Sequence, residues 1–191
     1  MRLLFMVLAG VVAAALPAAA KDSFILEDEV AICMGCHGED GVPIDPEFPV
    51  IAGQQYFYIY TQLRDFGAGR RQNDTMTPIA EEYDRDQAKA IAQYFADQPW
   101  PNIPAETMEG DRALAEKAIA SAECSACHGK WQGDSRIPRL AGQSTAYLAR
   151  TMYDFRSKAR NNAPDMSNIM ADVTDEGIEA LGRYLGSIVI H

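Results

Sequence analysis

The chain has 191 residues, 48% of them hydrophobic and 23% charged, with 27 acidic against 17 basic side chains and a formal charge of −10. A surface so acidic excludes nucleic acid and anionic lipid headgroups as partners, since both need a positive face. It permits attraction to a basic patch on another protein.

Residues 1–20 read as a signal peptide. Arg2 precedes an apolar run from Leu3 to Leu16, and Pro17-Ala18-Ala19-Ala20 offers the small residues of an A-x-A cleavage site. The run is 14 residues long, short of the ~20 that cross a bilayer. A cut between Ala20 and Lys21 is therefore expected. The product would be exported and periplasmic, without a transmembrane anchor, and would carry 16 bases and 27 acids, a charge of −11. Peripheral membrane association stays open.

The first expected helix, Ile25 to Cys36, runs into Cys33-Met34-Gly35-Cys36-His37, followed by Gly38. This is the C-x-x-C-H attachment signature of a c-type haem. Two thiols reach the two vinyl groups of one porphyrin, and the imidazole of the next residue then binds the iron from below. Downstream come the loop Pro49-Val50-Ile51-Ala52-Gly53-Gln54, a helix from Gln54 to Phe66, and the polar segment Asn73-Asp74-Thr75-Met76-Thr77-Pro78. A helix from Asp84 to Ala96 closes this part, its residues Ala88, Ile91, Ala92 and Phe95 falling on one face and Asp84 serving as N-cap. Pro99-Trp100-Pro101-Asn102-Ile103-Pro104 cannot continue a helix and reads as a semi-rigid extended linker.

The same order then repeats. Cys124-Ser125-Ala126-Cys127-His128-Gly129 lies 91 residues after the first motif, Pro138-Arg139-Leu140-Ala141-Gly142-Gln143 lies 89 after its match, and Asp154-Phe155 follows Asp65-Phe66 by 89. Tyr184-Leu185 answers Tyr94-Phe95 at 90. The expected helices are Asp111 to Cys127, Ser144 to Lys158 and Thr174 to Ile188. Two domains follow, 21–98 and 108–191, joined by a linker at 99–107. The fold class is all-α by duplication.

Two motifs use all four cysteines and two of three histidines. A pair of C-x-x-C units also suits zinc, but zinc needs no histidine directly after each pair. Two covalently bound haem c groups are the expected cofactors. A half of about 80 residues buries too little apolar surface to stand comfortably alone, so the haem should act as the staple and the haem-free chain should be largely unfolded.

The third histidine, His191, has no match in the first half. Methionine is the usual sixth ligand of electron-carrying c-type haems. Met76 and Met166 lie 90 apart, each eight residues before its helix cap, Asp84 or Thr174. Met170 matches Ala80, Met152 matches Leu63 within a helix, Met34 lies inside a motif and Met108 lies at the linker. Axial iron ligands are thus expected at His37, Met76, His128 and Met166.

On these motifs, and over essentially all of the mature sequence, the chain resembles the cytochromes c4, the duplicated dihaem members of the class I cytochromes c. That resemblance implies two facing cytochrome domains about a pseudo-twofold axis. It makes Pro49 and Pro138 the carbonyls that accept a hydrogen bond from the proximal imidazoles. It also suggests haem propionate contacts for Arg71, Arg160, Gln54 and Gln143. The implied function is an electron carrier without substrate chemistry of its own. By resemblance its donor is a cytochrome bc complex or a soluble cytochrome or copper protein, and its acceptor a haem-copper terminal oxidase. The alternative is the electron-accepting subunit of a larger oxidoreductase, such as a flavocytochrome c sulfide dehydrogenase. The unequal loops after the two motifs suggest unequal reduction potentials.

Overall fold

Apolar residues at spacings of three and four build the helices of each half, and polar caps decide where they start. In the computed structural model, which describes residues 24–190, the first half holds α1 (Leu26–His37), α2 (Tyr56–Gly67), α3 (Met76–Glu81) and α4 (Arg85–Ala96). The second holds α5 (Asp111–Ala122), α6 (Ser125–His128), α7 (Thr145–Ser157), α8 (Pro164–Met170) and α9 (Asp175–Gly186). No strand is found among the described residues, only an isolated bridge between Asp134 and Ile137. The expected signal peptide and His191 lie outside the described residues.

Asp84 caps α4 through a full capping box with Gln87, and the Thr174 hydroxyl accepts from Gly177 N at the start of α9. Each half then packs in the same way. In the first, α2 lies against α3 and α4, and α1 crosses α4; in the second, α7 lies against α8 and α9, and α5 crosses α9. Two separate apolar cores result, one from Val30, Leu63, Ile91 and Phe95 with their neighbours, the other from Leu148, Phe155, Ile178 and Leu185 with theirs. Each such fully buried side chain contributes roughly 1.5–3 kcal/mol. No described helix is long and apolar enough to cross a membrane.

The structure departs from the sequence expectation in two places. The helix expected over Asp111 to Cys127 ends at Ala122, because Glu123 turns left-handed at φ 51, ψ 32. A non-glycine residue there costs about 1–2 kcal/mol, and the chain resumes helical turns only at Ser125, in α6. Met76 and Met166, in polar segments outside the helices expected from the sequence, also sit on short helices. The Asn73 side-chain oxygen accepts from Thr75 N and Met76 N, starting α3. Pro164 opens α8, where its fixed φ suits the first turn.

The linker is extended and stitched to the second half. Asn102 exchanges two hydrogen bonds with the backbone of Ile190, and Ala105 N donates to Gly186 O. The Trp100 ring reaches Gly142, and the Arg139 guanidinium lies 5.0 Å from its centre.

Candidate haem sites and the seam between the halves

Helix α1 presents Cys33, Cys36 and His37 within its last turns and stops there because Gly38 takes φ 76. A Cβ at Gly38 would collide with the Val42 carbonyl, so the glycine after the motif is sterically required. His37 is buried, and its Nδ1 lies 3.0 Å from the Pro49 carbonyl oxygen. With Nδ1 carrying the proton toward Pro49, Nε2 stays free to bind a metal. Burial holds the His37 pKa below the ordinary value, partly offset by the Pro49 carbonyl. A neutral imidazole is the form that ligates iron.

The second motif comes to the same chemistry by a different backbone. α6 is a single turn, and Gly129 leaves it at φ 57. His128 is buried and its pKa is likewise lowered by burial. The Pro138 carbonyl faces it and raises that pKa somewhat, yet Nδ1 closes no hydrogen bond.

No disulfide joins the four cysteines. Burial, with Glu29 adding to it, pushes the Cys33 thiol up to about 11, and burial also raises Cys124. Cys36 and Cys127 are exposed. In each motif one thiol is thus set into the fold and one faces out.

Met76 and Met166 are half-buried and pack against the first and second core. Met170, at 2% exposure, and its repeat partner Ala80, at 4%, are core fillers. Met152 is core as well.

Between the halves the repeat becomes a reciprocal polar seam. Gln54 Nε2 donates to Arg139 O at 3.0 Å while Arg139 N donates to Gln54 Oε1 at 2.7 Å. Across the pseudo-twofold, Gln143 Nε2 donates to Val50 O and Val50 N donates to Gln143 Oε1, both at 2.8 Å. Val50 and Arg139 are themselves repeat partners. The two glutamines expected to contact a haem carboxylate thus use both amide heteroatoms to join backbone across the seam. Each side chain acts as a two-point peptide mimic for a loop that directly follows a histidine's proline.

A second layer crosses beside it. Arg71 donates to Tyr147 OH and Gln62 Oε1, and Arg160 donates to Tyr58 OH and Gln62 Oε1. Tyr58 and Tyr147 are repeat partners, so each half's arginine reaches the other half's tyrosine. Arg160 is only 6% exposed, and its acceptors, Asn162 Oδ1 included, are all neutral. Burial pushes the Tyr147 phenol up, but Arg71 and Arg160 beside it outweigh this and draw it below its ordinary value. A buried cation surrounded by neutral acceptors is costly unless an anion joins it. These tyrosines were not singled out in the sequence; the signal that could have found them is their offset of 89, shared with the loops before them. Outside both layers, Arg150 Nη1 pairs with Glu47 at 2.7 Å and the Ser144 hydroxyl bonds the Pro46 carbonyl.

Comparison with known proteins agrees with this geometry. The family described as cytochrome C oxidase, cbb3-type, subunit III, matches residues 111–185. Cytochrome c4 of Azotobacter vinelandii is 30% identical over 188 residues, which cover 87% of this chain and 89% of that protein. The thiosulfate dehydrogenase electron acceptor of Stutzerimonas stutzeri is 32% identical, covering 82% of this chain and 78% of that one. Reduced recombinant cytochrome c4 from Pseudomonas stutzeri superposes with a TM-score of 0.75 at 29% identity, covering 85% of this chain and 96% of that one. The duplicated attachment turns therefore sit in a fold and a kinship that agree, and the chain belongs to the cytochrome c4 family of dihaem c-type electron carriers.

Proposed function

We propose that this cytochrome works in the periplasm as a one-electron-per-haem shuttle of a respiratory chain. It would draw on a cytochrome bc complex or a soluble cytochrome or copper protein and deliver to a haem-copper terminal oxidase. In this reading Cys33 and Cys36 hold the first haem and Cys124 and Cys127 the second, with His37 and Met76, and His128 and Met166, as axial ligands. When bound, each haem supplies a ferric/ferrous couple tuned by its ligands and burial.

The protein's part is positioning. The Pro49 carbonyl sets the ring plane and tautomer of His37, and the Pro138 carbonyl faces His128 without closing that bond. Arg71 and Arg160 supply positive charge beside the seam, and a haem carboxylate would complete the buried cation of Arg160. The observation that carries the reading is the reciprocal seam, which fixes two histidine-bearing loops against each other through Gln54 and Gln143. A carrier with two coupled centres needs that fixed relation.

Two findings favour a second reading, in which the chain accepts electrons from one dedicated dehydrogenase. One is the likeness to the thiosulfate dehydrogenase electron acceptor just described. The other is the similarity of the fold, at a TM-score of 0.73 and 25% identity, to thiosulfate dehydrogenase TsdBA from Marichromatium purpuratum, of which it covers 40%. The donor here would be a sulfur-oxidising enzyme or a flavoprotein. Purification from the native periplasm separates the two. A free cytochrome that takes up two electrons per chain and is oxidised by membranes bearing terminal oxidase supports the shuttle. Stoichiometric co-purification with a dehydrogenase supports the dedicated acceptor instead.

A further inference from the structure

Charge is distributed very unequally over the two halves. Residues 24–98 carry 14 acidic and 5 basic side chains, a formal −9, whereas residues 108–190 carry 11 and 10, a formal −1. On the first half an open cleft of about 600 Å³ lies where the chain leaves the first motif and meets the linker. Val42, Ile44 and Trp100 line it between Pro99 and Pro101, with Glu39 and Asp40 as charged members of the lining. Ile44 is fully exposed. An isoleucine left entirely in water forgoes burial that a contact would recover. Asp40 is held in place by the Tyr94 hydroxyl at 3.3 Å.

The second half lacks this arrangement at the matching positions. Gly41 and Trp131 hold equivalent places, each carbonyl accepting two backbone N–H groups from the loop that follows, so Lys130 answers Asp40, Gln132 answers Val42 and Asp134 answers Ile44. The duplication has therefore kept both attachment turns while making only one of the adjoining surfaces apolar and acidic.

We propose that the first-half cleft is the docking surface for a basic redox protein, one that inserts an apolar contact against Ile44 with its lysines or arginines facing Glu39 and Asp40. This rests on the carrier reading above and adds to it the side on which a partner lands. The carboxylates steer the approach, and the apolar floor holds the complex once water is expelled. The near-neutral second half has no comparable pull on a basic partner. A molecule so polarised presents one end to it.

The test measures binding of the oxidised holoprotein to a lysine-rich mitochondrial cytochrome c by titration calorimetry at low and high ionic strength. The double substitution Glu39→Lys and Asp40→Asn moves the local charge by three units, and asparagine tolerates the left-handed backbone, φ 53, at position 40. It should weaken binding about tenfold at low salt and flatten the salt dependence. Ile44→Ser should weaken binding about threefold with the salt slope unchanged. The same charge change placed on the second half, Asp172→Asn with Glu176→Lys, should alter binding less than about twofold. Equal weakening by both charge variants, or no binding by the unmodified protein, would overturn the proposal. If the first variant does not fold, amide shift mapping on the unmodified protein decides. Perturbations at residues 39–44 and 99–101 support the cleft, and perturbations centred on the second half refute it. Oxidation of the ferrous protein by ferricyanide, a small oxidant that needs no docking cleft, checks the carrier reading separately. Failure there counts against the carrier, not the cleft.

Discussion

The two halves reach one arrangement of two thiols and an imidazole along different backbones. In the first, an unbroken twelve-residue helix delivers Cys33, Cys36 and His37, and the histidine is locked to Pro49 at 3.0 Å. In the second, the approaching helix ends at Ala122, Glu123 takes a left-handed conformation, and Trp131 and Ser135 follow at φ 69 and 52. There the buried His128 Nδ1 is left without a hydrogen bond. The packing of α2 and α4 against that of α7 and α9, by contrast, is the same, and so is the seam. Attachment thus depends on the five-residue turn itself, while the approach to it is free to vary. What must match is the surface on which each half meets the other.

The largest expected effect removes what the halves share. Cys36→Ala with Cys127→Ala should leave a chain without stable haem attachment and largely unfolded, since each core belongs to a unit of only about 80 residues. Circular dichroism checks this, and a near-native helical spectrum would break the idea that the haem is the staple.

Next is the seam. Gln143 is 4% exposed, and both bonds that it makes to Val50 are buried. Gln143→Ala strands a buried N–H and a buried C=O, at about 1–3 kcal/mol each. Gln54→Ala should cost less, because its bonds to Arg139 are only partly buried. Denaturant titration of both variants reads the difference. Equal losses would mean that the seam is more symmetric than its burial suggests.

Acid should act unequally as well. Asp111, buried in the second half, is held below the usual carboxylate range by hydrogen bonds from Arg183 at 2.8 and 2.9 Å, against the push of burial. Its folded pKa lies below the unfolded value of about 3.9. The stability that it contributes is therefore fully present above about pH 4 and is lost as pH falls through the folded pKa. Thermal unfolding followed from pH 5 to 2 should show this loss, and Asp111→Asn should lower stability at neutral pH while removing that part of the acid dependence.

The smallest effect bears most directly on the asymmetry. An imidazole that donates to a carbonyl is a stronger electron donor to its metal and favours the ferric state. The first haem should therefore have the lower reduction potential, and a redox titration should resolve two steps. A single Nernst curve for both haems would contradict this.

Most of the architecture was legible because it is written in short-range rules. The motif spacing is set by porphyrin chemistry, the helices by apolar periodicity, and the caps by Asp84 and Thr174. Long-range partners were not legible. At Gln54 and Gln143 a polar residue at a loop-to-helix junction says nothing about backbone 85 and 93 residues away, so the seam itself could not be read. The break at Glu123 lies in an alanine-rich stretch of good helix formers that carries no glycine, proline or other stop signal. The short helices carrying Met76 and Met166 depended on the Asn73 side chain and Pro164, cues that polar composition hid.

The central claim is that both irons are closed by histidine and methionine, so that the molecule carries electrons and does not transform substrate. The visible spectrum of the holoprotein, recorded oxidised, reduced, and reduced under carbon monoxide, tests it most directly. The account predicts an iron–thioether charge-transfer band in the oxidised protein and no change under the gas. A Soret band that shifts under carbon monoxide would reveal an open or labile iron and contradict it.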